Sequence, residues 1–79
     1  MNVYEIHETY NLQKECTENV ISVRRVVELW SNEKNPLILV CLTGEGKEVH
    51  FTPSAFGLRV FTTMQQAEEA LAKMGGMHE

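Results

Sequence analysis

The sequence predicts an α+β domain: a twisted antiparallel sheet of four or five strands, curling toward a small open barrel, with one C-terminal helix. Three observations carry this reading. Segments rich in β-branched and aromatic residues recur from Val3 onward with alternating polarity. Residues 37–42 are apolar at every position, and the helical spacing of apolar residues is clearest after Thr63.

Residues 3–10 mix Val3, Tyr4, Ile6 and Tyr10 with Glu5, His7 and Glu8 at a period near two, which reads as the first strand. Residues 11–19 are mostly polar and read as a connection. Residues 20–30 fit two periods equally well. Val23, Val26, Val27 and Trp30 share a helical face, whereas Ile21, Val23, Val27 and Leu29 share a strand face. Four valines and an isoleucine favour the strand, because β-branched side chains lose rotamer freedom against a helical turn. Residues 31–36 end in Asn35-Pro36 and connect to the next strand, residues 37–42, whose two apolar faces place it centrally in the sheet.

Gly44 and Gly46 supply a turn into residues 48–52, where Val49 and Phe51 alternate with His50 and Thr52. A symmetric loop over 44–47 sets Thr43 opposite Glu48 and Cys41 opposite His50. Pro53 and Ser54 stop that strand, residues 55–57 turn again, and residues 58–61 form one more short strand. Thr63 and Gln66 make a capping box. Behind it Ala67, Ala70, Leu71 and Met74 form an apolar stripe, Glu69 and Lys73 pair on the outer face, Gly75-Gly76 ends the helix and Met77 to Glu79 fray.

Composition narrows the function. With 79 residues, 43% of them hydrophobic and 23% charged, the chain makes one domain, residues 1–79. A chain of this length buries roughly 60–65% of its unfolded surface, which leaves a thin core and little room for an enclosed active site. This argues against an enzyme. A net charge of -4 is the wrong sign for a protein held to nucleic acid by phosphate contacts. All the acids are Glu; the absence of Asp removes the usual EF-hand ligands and the acid of a Ser-His-Asp constellation.

Residues 1–10 carry Glu5 and Glu8 and have neither the basic nor the apolar region of a signal peptide. The longest apolar run is far short of the roughly 20 residues that cross a bilayer. Cys16 and Cys41 therefore read as reduced thiols of a cytoplasmic protein.

The stretch from Gly57 to Leu71 resembles the C-terminal signature of small proteins found in phages and mobile elements of Gram-positive bacteria. Their pattern is Gly, two variable residues, Val-Phe, one variable residue, Thr, three variable residues, then Ala-Glu-variable-Ala-Leu. Gly57, Val60, Phe61, Thr63, Ala67, Glu68, Ala70 and Leu71 fit it; Gln65 and Gln66 stand where members usually carry acidic residues. The resemblance implies a β-rich body followed by this helix, and a cytoplasmic setting in a bacterial host. It carries over no catalytic residue and no cofactor.

Several constellations are candidates for function. Glu5, Glu8, Glu15, Glu18, Glu68 and Glu69 would form an acidic patch if the first strand and the helix share a side. Such a patch suits a virus-encoded inhibitor that competes for the nucleic-acid groove of a host defence nuclease; the plainer reading is a solubilising surface. Cys41 and His50, joined by Cys16 and His7, are candidates for a zinc or thiol site, against the plainer reading of a buried thiol and a surface histidine. Arg24, Arg25, Lys34, Lys47 and Arg59 make the central segment slightly basic, but adjacent arginines on a strand point to opposite faces. Trp30, at the polar end of its segment, is expected to be partly exposed and to anchor an interface. The leading expectation is a non-enzymatic module that binds another protein, with dimerisation through a sheet edge compensating a small core.

Overall fold

Alternating polarity does build strands here. The computed structural model describes residues 1–75 and contains β1 (Asn2–Asn11), β2 (Cys16–Trp30), β3 (Ile38–Leu42), β4 (Glu48–Phe51), a 3-10 turn (Pro53–Ala55), β5 (Val60–Phe61) and α1 (Met64–Gly75). The strands form one antiparallel sheet in the order β4-β3-β2-β1-β5. The sheet stays open, with β4 and β5 as its edges. Gly76 and the expected fraying at Met77 to Glu79 lie outside the described residues.

β1 and β2 form a ten-pair hairpin running from Asn2↔Arg25 to Asn11↔Cys16. The connection is therefore shorter than the polar stretch 11–19 suggests. Only residues 12–15 turn, with the Lys14 N–H donating to Asn11 Oδ1 at 3.0 Å and Glu15 at φ 55°. Residues 16–19 continue the ladder although they are polar, because at the tip of this hairpin a strand needs backbone partners and not a buried face.

The two competing periods in residues 20–30 have a physical cause. Val26 pairs with Cys41 and Glu28 with Val40, so Val27 is the extra residue of a β-bulge. The alternation reverses there. Ile21 lies on the face that α1 covers and Val26 on the other; past the bulge Leu29 joins Val26's face and Trp30 joins Ile21's.

β3 is an interior strand, between β4 and β2, and is buried at four of its five positions, as its composition demands; Leu37 stands outside it. The turn into β4 is one residue shorter than a loop over 44–47. The Thr43 N–H donates to the Lys47 carbonyl at 2.8 Å, and Gly46 takes the left-handed conformation at φ 83°. Gly57, at φ 85°, lets the chain fold back so that β5 lies beside β1. Only Val60 and Phe61 pair there; Leu58 and Arg59, expected in that strand, lie in the turn.

Thr63 caps α1 by accepting from the Gln66 N–H at 3.2 Å. The reciprocal arm of the box goes elsewhere: Gln66 Oε1 accepts from the Thr62 hydroxyl at 3.2 Å. Among the described residues the expected Glu69–Lys73 pair does not form, and the ion pairs all belong to the sheet and its turns.

Each sheet face carries its own core. Ala67 is fully buried and, with Ala70, Leu71 and Met74, packs α1 over Ile6, Phe61, Tyr4 and Ile21. On the opposite face Val3, Leu39, Cys41, Phe51 and Val60 meet under Ala55 and Phe56. The helix packs mainly on β1, β2 and β5, toward one end of its face of the sheet. At roughly 1.5–3 kcal/mol per fully buried large apolar side chain, these two small layers are the main favourable term.

Candidate functional site

Glu5 is the one buried charged residue among the described residues. It shares a face with Val3, is 8% exposed, and accepts from Arg24 Nε at 2.9 Å through one oxygen and from Arg59 at 2.9 Å through the other. The Arg59 guanidinium also lies over the Phe51 ring, 5.6 Å from its centroid. Glu5 is thus consumed inside the fold, clamping the 57–59 turn to β1 and β2, and is not part of an acidic surface.

The remaining acids are dispersed. Glu8 and Glu18 line an open cleft of about 640 Å³ that reaches Leu71, but Lys14 lines it too and pairs with Glu18 at 3.5 Å. Asn11 donates to Glu18 at 3.0 Å, and this bond is the main cause holding the Glu18 carboxyl below its usual pKa. Glu15 is exposed at the hairpin tip. Glu69 lines a separate groove of about 730 Å³ beside Lys73, Met74 and Phe61, while Glu68 is exposed on the helix. Of the six glutamates expected to share a patch, Glu8 and Glu18 share one cleft, while Glu5 is internal and Glu15, Glu68 and Glu69 lie elsewhere.

The thiol and imidazole groups do not converge either. Cys41 is opposite Val49, and His50 is opposite Val40. A shift of one residue in register moves every side chain of a strand to the other face, so Cys41 and His50 lie on opposite sides of the sheet. Cys41 is fully buried, and desolvation pushes its thiol pKa up. Cys16 is exposed at the far hairpin, and among the described residues no three His, Cys or Glu side chains come together as metal ligands.

His7 Nε2 lies 2.7 Å from Ser22 Oγ, with Nδ1 3.3 Å from the Glu8 carbonyl. A nucleophile and base meet at such distances. Here Glu5, which pairs across from Ser22, has both oxygens occupied by arginines, and neither of the two clefts above is lined by His7 or Ser22. The pair satisfies two polar groups on a sheet face and lacks an orienting carboxylate.

An exposed apolar group stands at the end of β2. Leu29 is 62% exposed, Trp30 43%, and Val27 and Leu37 38% each. Trp30 is held in place: its Nε1–H donates to Glu28 Oε1 at 2.6 Å, and its ring meets His50 edge-on at a centroid distance of 5.0 Å. His50 is in turn fixed by Glu48 at 2.9 Å. The expected partial exposure of Trp30 is present. Leu29, Val27 and Leu37 were not singled out as surface residues, because only the bulge and the strand lengths put them there. Comparisons with protein-family models, curated proteins and solved structures return no match to this chain.

Proposed function

We propose that this chain is a non-enzymatic interaction module of phage or mobile-element origin that binds another protein through Val27, Leu29, Trp30 and Leu37. The supporting observation is the pre-set Trp30 ring. An aromatic side chain already fixed by Glu28 and His50 loses little conformational freedom on association, so the apolar area it buries counts almost fully toward affinity. Val27, Leu29 and Leu37, each more than a third exposed in a domain with little apolar surface to spare, stand at the same end of the sheet, with Leu29 on the face opposite Trp30, so a partner that grips the strand end reaches both faces. The phage or mobile-element setting follows from the signature over residues 57–71, and the two free thiols fit a reducing cytoplasm.

Trp30 is the sole tryptophan, so its emission reports directly on the patch. Captured partner added to the chain is expected to shift that emission to the blue and to protect it from iodide. The variants Trp30→Ala and Leu29→Glu, with unchanged far-UV spectra, are expected to lose at least tenfold in affinity, since a central aromatic commonly contributes about 2 kcal/mol or more. Retention of the partner at full affinity by both folded variants excludes the patch.

A further inference from the structure

Several stretches of strand have an open edge among the described residues, and they differ in how they are protected: the β3 side of residues 16–24 and the β5 side of residues 7–11 belong to the largely polar far half of the β1–β2 hairpin. β4 is four residues long and carries Glu48 and His50, the short charged form that discourages pairing. The outer side of β5 is partly occupied by its own turn, through the Gly57 N–H on the Val60 carbonyl at 3.0 Å. The remaining one is the end of β2, which alone among them carries an apolar side chain more than 60% exposed. Its ladder with β1 reaches Arg25, and the Val26 N–H donates to the Met1 carbonyl at 2.9 Å; past the bulge at Val27, Glu28 to Trp30 pair only with β3.

Backbone direction along this end follows from the next hairpin. The Thr43–Lys47 bond turns the backbone groups of Thr43, Cys41 and Leu39 toward β4, so those of Leu42, Val40 and Ile38 face β2. Glu28 and Trp30, which pair with Val40 and Ile38, therefore bond to β3. Leu29, between them, directs its N–H and C=O away from β3, toward the line that β1 would follow if it ran on. Its side chain is the most exposed of β2's large apolar residues.

We infer that the partner supplies an extended segment that adds as a strand beside Leu29, antiparallel to β2 and in line with β1, bearing two apolar residues followed by a basic one. This rests on the reading of the patch as a protein-binding surface. Antiparallel addition puts the first apolar residue opposite Trp30 and the second opposite Leu29. The third faces the Glu28 carboxylate, where a Lys or Arg supplies the opposite charge. A second copy of this chain does not fit. Pairing two β2 strands about Leu29 would set Asn32 of the copy beside Val26, where Met1 already sits.

The test uses the full chain, ¹⁵N-labelled, titrated to millimolar concentration with the blocked peptide acetyl-Thr-Ile-Val-Lys-Thr-amide. The expected result is saturable shifts at Leu29 and the Trp30 indole, with exchange of the Leu29 amide slowed about tenfold at saturation. Methylating the peptide nitrogen of the central Val should abolish both, and Lys to Glu in the peptide should weaken binding severalfold at low salt. In the protein, Leu29→Pro removes an N–H that faces outward and no bond to β3, and should likewise abolish binding. If that variant does not fold, the methylated peptide decides the same point. Binding of parent and methylated peptides alike, with Leu29 unprotected, overturns strand addition and leaves the patch standing. No binding of the parent peptide also overturns it, whereas failure of the patch itself is read separately from partner affinity of the Trp30 and Leu29 variants.

Discussion

Replacing Glu5 with Gln removes one negative charge from between two arginines and changes little else. The cost should be unequal on the two sides. Arg24 has a side chain only 13% exposed, so without Glu5 it becomes a largely desolvated cation lacking a counter-charge, a situation that costs about 3–5 kcal/mol when a partner is deleted outright. Arg59 is 55% exposed, and water replaces much of what it loses, about 0–1 kcal/mol. Gln keeps one acceptor oxygen, so the net expectation for Glu5→Gln is about 2–3 kcal/mol. A small domain near the low end of the usual 5–15 kcal/mol stability range would lose about half of it. At about 4–8 °C per kcal/mol, the midpoint of thermal unfolding should fall by roughly 10–20 °C. Urea denaturation followed by far-UV circular dichroism and Trp30 emission measures this, with Arg24→Ala and Arg59→Ala as companions. Arg24→Ala should cost clearly more than Arg59→Ala, whose loss is about 1 kcal/mol including its contact with the Phe51 ring. A Glu5→Gln variant within about 0.5 kcal/mol of the parent, or two arginine variants of equal cost, would refute the account of a buried, asymmetric clamp.

The two thiols should behave differently. Iodoacetamide is expected to modify Cys16 in the native chain and Cys41 only after unfolding, and equal rates without denaturant would contradict the burial of Cys41. Because burial raises the folded Cys41 pKa above the ordinary 9.0, the native state holds that proton longer. Its contribution to stability is complete below about that pH and declines as pH rises through the folded value, a decline that Cys41→Val should remove. Glu18 has the opposite sign. Its folded pKa is lowered, so its contribution is present above the ordinary carboxyl value of 4.5 and is lost as pH falls through the folded one. Replacing Asn11 by Ala should raise the Glu18 pKa in a carbon-detected titration, and an unmoved carboxyl would show that the Asn11 amide is not its main support.

Much of the fold was legible because it depends on local period and local chemistry. Residues 3–10 alternate and pair; residues 37–42 are apolar throughout and all but Leu37 lie in an interior strand; Thr63 caps a helix whose Ala67, Ala70, Leu71 and Met74 face the sheet. The candidate sites were less legible. Placing Cys41 with His50 required a loop length correct to one residue, and the shorter turn at Gly46 put them on opposite faces. Glu5 looked like surface because one strand cannot reveal its neighbours. One of its two arginines is 19 residues away in sequence and the other 54, and only the β1–β2 register and the turn at Gly57 bring them to it.

By itself, the sequence determined the existence and order of the strands, though not their ends at residues 16–19 and 58–59; it also determined where the helix starts and which of its residues face inward, since each follows from the spacing of a few neighbouring side chains. Tertiary structure alone decided what is exposed. The bulge at Val27 reverses the faces of β2, and the unequal lengths of β1 and β2 leave Leu29 with backbone groups that no strand of the described residues takes. Both are relations between strands, set by register and relative length, and no periodicity within one segment encodes them.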